Sequence, residues 1–151
     1  MKNIVLIILL TFFSCSLYQD NDEPNIFFQF SDFEILELGK SFSDMIISDV
    51  QSAIYLSDYN NNSLLKINTQ NSLLVEKHAI VGSHPIALDI NSDESIIAIA
   101  HEGESSILIL NSQDLEILNS FSVSLMNMND LAFINDTTLI ISSKTDPSCI
   151  T

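Results

Sequence analysis

The chain contains no arginine and no tryptophan, and only three glycines, three prolines and two cysteines among its 151 residues. Each shortage closes off a class of function. Five lysines against twenty acids cannot neutralise a run of phosphates, which excludes a nucleic-acid partner. Three glycines leave almost no material for a phosphate-cradling loop or a dinucleotide fingerprint. Cys15 and Cys149 are too few for a disulfide scaffold or a four-cysteine zinc site. Long hydrophobic runs are scarce as well. The apolar run from Ile4 through Phe13 is about half the roughly 20 residues a membrane-spanning helix needs. What is abundant is aliphatic and acidic. Hydrophobic residues make up 46% of the chain and the formal charge is -15, so the chain can form a core while its surface repels anions.

The first fifteen residues (MKNIVLIILLTFFSC) place Lys2 before the short apolar run and a small residue before Cys15. That arrangement reads as a secretory signal peptide over residues 1–14. Phe12-Phe13-Ser14-Cys15 resembles the lipobox of bacterial lipoproteins, which implies acylation of Cys15. Ser16 directly after that cysteine resembles lipoproteins forwarded to the outer membrane. Residues 15–25 comprise Cys15 and then SLYQDNDEPN (Ser16 to Asn25), a polar, acidic, proline-containing stretch that stays extended and solvated. It is expected to act as a flexible tether. The expected address is the bacterial cell envelope, periplasmic or surface-exposed, with the membrane as a partner through the lipid.

Residues 26–151 repeat. Shifting the chain by 43 positions lays Ala53–Asp58 over Ile96–His101 and Ser63–Asn68 over Ser106–Asn111, and it lays Gly39 over Gly82. A third copy opens at Leu131-Ala132-Phe133-Ile134-Asn135. The most regular copy holds four apolar runs, Ile86–Ile90, Ile96–Ala100, Ser106–Leu110 and Leu115–Val123, separated by turn residues such as Asn91-Ser92-Asp93-Glu94. Runs of about five aliphatic residues suit buried strands and are too short for helices. Four antiparallel strands per unit of about 43 residues make a propeller blade. The expected fold class is therefore all-β: an incomplete β-propeller with about two full blades, Met45 to Ser124, and partial ones. Phe33–Gly39 would be an outer strand before them and Asn129–Ser143 an inner half after them. Four such blades, the smallest common closed ring, need more than the 151 residues present.

Ile54–Asn68 (IYLSDYNNNSLLKIN) and the linker Val81–Leu88 (VGSHPIAL) resemble the YVTN-type propeller repeat, a relative of NHL blades. The resemblance covers residues 33–144. It implies that blade linkers and second-to-third-strand loops share one face of the disc, which would gather Lys40, Asp58, His84, His101 and Glu102. These are the candidate binding-face residues for a protein partner or for self-association. His84, His101 and Glu102 are of metal-ligating type, but no tight ligand spacing joins them, and neither a metal nor a cofactor is assigned. No G-x-S-x-G elbow occurs, and no catalytic residue is assigned. Two other readings stand beside the binding or scaffolding one. The first is a fragment resembling the metal-dependent propeller lactonases, which would need acids on inner strands: Asp89 lies in one, with Asp44, Asp49 and Asp130 flanking others. The second is a truncated gene product without independent function.

Overall fold

The computed structural model describes residues 38–70, 74–102, 104–125 and 127–145. The signal peptide, Cys15, the tether, most of Phe33–Gly39 and Cys149 lie outside these residues, as does the side chain of His78. From Lys40 onward the strands belong to one unit.

Short aliphatic runs broken by Asn, Asp and Ser become strands. The first blade consists of β1 (Phe42–Ser48), β2 (Ala53–Asp58), β3 (Ser63–Asn68) and β4 (Leu74–Ile80). The second consists of β5 (Pro85–Ile90), β6 (Ile96–His101), β7 (Ser106–Asn111) and β8 (Ile117–Ser122), and β9 (Met128–Asn135) and β10 (Thr138–Ser143) follow. They form two four-stranded antiparallel meanders and one antiparallel pair, each in chain order. The expected two full blades and an inner half are present.

The pairing register makes the repeat explicit. Leu56, Ile99 and Ile141 stand opposite Met45, Leu88 and Leu131, so equivalent positions recur after 43 and 43 residues on the first strands and after 43 and 42 on the second. Inner strands begin earlier than expected. Asp44 and Asp130 lie inside β1 and β9, opposite Ser57 and Ser142. A small polar partner leaves room for a carboxylate within the pair, and the hydropathy of the run does not reveal that room.

Blades are held together face to face. Along β6 the side chains alternate: Ile97 and Ile99 pack with Tyr55, Leu64 and Val81 toward the first blade. Ala98 and Ala100 pack with Met128, Leu131 and Ile141 toward the third. A sheet buried on both faces requires apolar residues at successive positions, which accounts for the near-continuous aliphatic runs. Polar clips reinforce the contact. The Tyr55 hydroxyl donates to the Ser112 carbonyl at 2.6 Å, and Lys66 Nζ donates to the Gln113 carbonyl at 2.9 Å. Glu94 Oε2 accepts from Ser48 Oγ at 2.6 Å and from the Val50 N–H at 2.8 Å.

The candidate binding face

The loops after β2, after β6 and after β10 occupy one side of the strands, together with the linker into β5. Here the repeat brings equivalent positions into contact. Tyr59, Glu102 and Lys144 each follow the second strand of their blade, 43 and 42 residues apart. The Tyr59 hydroxyl donates to Glu102 Oε2 at 2.5 Å, and Lys144 Nζ lies 3.0 Å from Glu102 Oε1. One carboxylate thus spans three blades. The Tyr59 hydroxyl first, and then Lys144, holds the Glu102 carboxyl below its ordinary range. The same bond to Glu102 pushes the Tyr59 phenol up.

His84 stacks on this ladder. Its ring centroid is 4.6 Å from that of Tyr59. Its backbone has φ +52, a left-handed conformation uncommon outside glycine, though histidine, asparagine and aspartate adopt it more readily than other residues. The conformation is held by the His84 N–H donating to Asn62 Oδ1 at 2.9 Å and by the Glu102 N–H donating to the His84 carbonyl at 3.0 Å. In the next blade the equivalent position is Asn127, also left-handed at φ +51, and the Lys144 N–H donates to its carbonyl at 2.9 Å.

The candidate residues named from the sequence divide into three groups. His84 and Glu102 come together. Lys40 and Asp58 form a separate ion pair at 3.0 Å, with the Asp58 carboxylate inaccessible and Lys40 30% exposed. Burial works to raise the Asp58 carboxyl, but Lys40 and the Asn61 side-chain and backbone donors outweigh it, and the net shift is downward. His101, expected with the others, is not on this surface. It has no accessible area, and its Nε2 lies 2.8 Å from the Val81 carbonyl and its Nδ1 3.2 Å from that of Ser106. Strand β6 runs one residue farther than the aliphatic pattern, and that extension carries His101 inward. The linker glycine now has a reason. Gly82 has φ +110, and a Cβ there would stand 3.0 Å from His101 Nε2, so a side chain is excluded by both backbone and space. Tyr59 and Lys144 were not singled out in the sequence. The signal available was their position under the same repeat shift as Glu102.

On the inner strands, Asp44 Oδ2 accepts the Leu88 N–H at 2.7 Å and Asp89 Oδ2 accepts the Phe133 N–H at 2.6 Å. Each carboxylate therefore ties its blade to the next one. Burial chiefly, with the charges of Asp130 and Asp89 adding to it, raises the Asp44 carboxyl despite two backbone N–H donors. Among the described residues, no three His, Cys, Asp or Glu side chains gather as a metal-holding group. Asp44 is thus ionised at a cost at neutral pH. Asp44→Asn keeps an oxygen for the Leu88 N–H, gives up the exposed bond from the Met45 N–H and removes the charge, so a net stabilisation of the fold is expected at pH 7. A raised carboxyl costs the folded state most above its own pKa, so the gain fades as pH falls toward 4. Urea unfolding at pH 7 and pH 4 measures both; a variant less stable than wild type at pH 7 rules the account out.

Similar architectures have been solved. A structure of U3-55K is 22% identical with a TM-score of 0.61, covering 68% of this chain and 33% of that one. The WD40 repeats of RRP9 match at 22% identity and TM-score 0.61, covering 68% and 32%. The Cps50 (Swd1) β-propeller domain of Myceliophteria thermophila matches at 8% identity and TM-score 0.58, covering 72% and 38%. The fold is that of part of a β-propeller. The chain spans about a third of the length of these structures. No family model and no curated protein matches the sequence. At these identities the likeness is one of fold, and the loop residues above belong to this chain.

Proposed function

We propose that the chain is an exported, lipid-anchored protein of the bacterial cell envelope that uses a partial, YVTN-like propeller to bind a protein partner through its loop face. The observation that supports this reading is the contact network of Tyr59, His84, Glu102 and Lys144. It joins three blades at the surface and includes a histidine in a left-handed conformation. Backbone held outside the common regions clusters at binding sites, and tyrosine is among the side chains that most often anchor protein interfaces. Cys15, followed by the acidic tether of residues 16–25, supplies the attachment. The outer membrane is the proposed destination.

A photo-crosslinker placed at Asn60, exposed beside Tyr59, tests the surface in the cell that makes the protein. A discrete adduct in the membrane fraction is expected from this position. None is expected from Val50, 67% exposed in the turn between β1 and β2 at the opposite end of the strands. His84→Asn, which keeps the left-handed backbone as Asn127 does, should reduce the Asn60 adduct at least tenfold. Cys15→Ala should release the protein from the membrane fraction. Equal adducts from positions 60 and 50, or an adduct indifferent to His84→Asn, would count against this face.

A further inference from the structure

His101 is the buried histidine that the loop face leaves out. It has no accessible surface, and each of its ring nitrogens meets a backbone carbonyl. Nε2 lies 2.8 Å from the Val81 oxygen and Nδ1 lies 3.2 Å from the Ser106 oxygen. Carbonyls only accept, so both nitrogens are placed to donate. A neutral imidazole has one N–H and one lone pair, whereas the imidazolium has two N–H groups. In the neutral ring one nitrogen therefore turns its lone pair toward a carbonyl oxygen, out of reach of bulk water. A buried polar group left without its bond in this way is costly. A second proton removes the conflict and completes both bonds.

The two carbonyls belong to separate segments. Val81 opens the linker that carries Gly82, Ser83 and His84 into β5, and Ser106 opens β7. The linker has other ties. The Val81 N–H donates to the Asn62 carbonyl at 3.0 Å, the Ser83 N–H to Glu104 Oε1 at 3.0 Å and the His84 N–H to Asn62 Oδ1 at 2.9 Å. Among the side chains holding the linker, only a histidine is of the type that changes charge between pH 5 and 8. In the first blade the same strand end carries Asp58, 43 residues earlier, whose carboxylate collects Asn61 and Lys40. One position thus fastens a loop in both blades, through a carboxylate in one and a ring in the other.

The charges around the ring are few. On the loop between β6 and β7, the Ser83 N–H chiefly holds the Glu104 carboxyl below its ordinary range, and the Ser106 hydroxyl and the charge of His101 add to this. Glu102 is engaged by Tyr59 and Lys144. In the linker, His84 stacks on Tyr59. On the first blade, Lys40 and Asp58 pair with each other. Pro85 and Ser106, which begin β5 and β7, carry no charge. The carboxylate of Glu104 is therefore the neighbour that favours a proton on the ring.

We propose that His101 is a proton-operated latch on the linker. Protonated, it donates from both nitrogens and ties the Val81 linker to β7; neutral, it releases one of the two carbonyls. Because the linker positions His84 over Tyr59, acidification tightens the loop face. As regulation of partner binding this rests on the loop-face reading, whereas the latch itself does not.

The test uses the purified chain with nitrogen-15 in its histidines. At about pH 5.5 the His101 ring should show two protonated nitrogens, and at about pH 8 one protonated nitrogen and one lone-pair nitrogen. Amide protection of Val81, Ser83 and His84, corrected for intrinsic exchange, should fall about tenfold between the two conditions while the β6 amides stay constant. His101→Gln should abolish that dependence and His84→Asn should leave it in place. If His101→Gln does not fold, the ring spectrum of the wild-type chain decides. A ring that keeps a lone-pair nitrogen at the lower pH, one that keeps both protons at the higher, or linker protection indifferent to pH overturns the latch. The crosslink from Asn60 reports on the partner face alone, so failure there and failure here are told apart.

Discussion

Tyr55→Ala is expected to cost about 4 kcal/mol, in the range for deleting a buried aromatic ring. The ring has no accessible surface and packs in the cluster joining the first two blades. Its hydroxyl meets the Ser112 carbonyl of the second blade, and Lys66 Nζ lies 5.9 Å from its centroid. Tyr55→Phe separates the contributions. It keeps the packing, leaves the Ser112 carbonyl without that donor, and should cost about 1 kcal/mol. Burial pushes the phenol up to about 12, so the folded state favours the neutral form. The stability this provides is complete below about pH 10, where the unfolded phenol titrates, and is lost as pH rises toward 12. The gap between wild type and Tyr55→Phe should therefore narrow over that interval. Urea unfolding gives the comparison, with Ile117→Ala as the reference, since Ile117 is 54% exposed on β8. If Tyr55→Ala costs no more than Ile117→Ala, the blades are not held together as described.

Lys40→Ala is the second large effect expected, about 3 kcal/mol at pH 7. It strands a buried carboxylate, and breaking such a pair from one side costs more than the pair contributes. The figure belongs at the low end because Lys40 is itself 30% exposed and Asn61 continues to donate to Asp58. Asp58→Asn should cost less, since it leaves the partly exposed ammonium free to turn toward water. The pH dependence has a definite sign. The Asp58 carboxyl is lowered in the folded chain, so its contribution is present above about pH 4, where an unfolded aspartate titrates, and is lost as pH falls through the lower folded value. The difference between wild type and Lys40→Ala should be widest near neutrality and shrink below pH 4. A difference that stays constant from pH 7 to pH 3 would place the energy of Lys40 in packing rather than charge.

How far the sequence could be read depended on the physics behind each feature. The blades were legible because burial on both faces forces runs of aliphatic residues, and turns force Asn, Asp and Ser between them, so a shift of 43 residues shows in composition alone. The ladder was half legible. Glu102 and His84 stood in loops that the resemblance placed together, but Tyr59 and Lys144 are chemically unlike one another and unlike Glu102, so no similarity score aligns them. His101 shows the opposite failure, since a polar residue at a strand end reads as solvent-facing until the partner carbonyls of Val81 and Ser106 are located.

The sequence by itself determined the strand content, the repeat and the acidic composition, because each follows from composition and local periodicity. Only the tertiary structure decided which blade each face of β6 meets, that Asp44 and Asp130 join Asp89 on inner strands, and that one carboxylate joins three blades. Those outcomes depend on residues about 43 positions apart meeting in space, and such meetings are set by the register and packing of whole sheets.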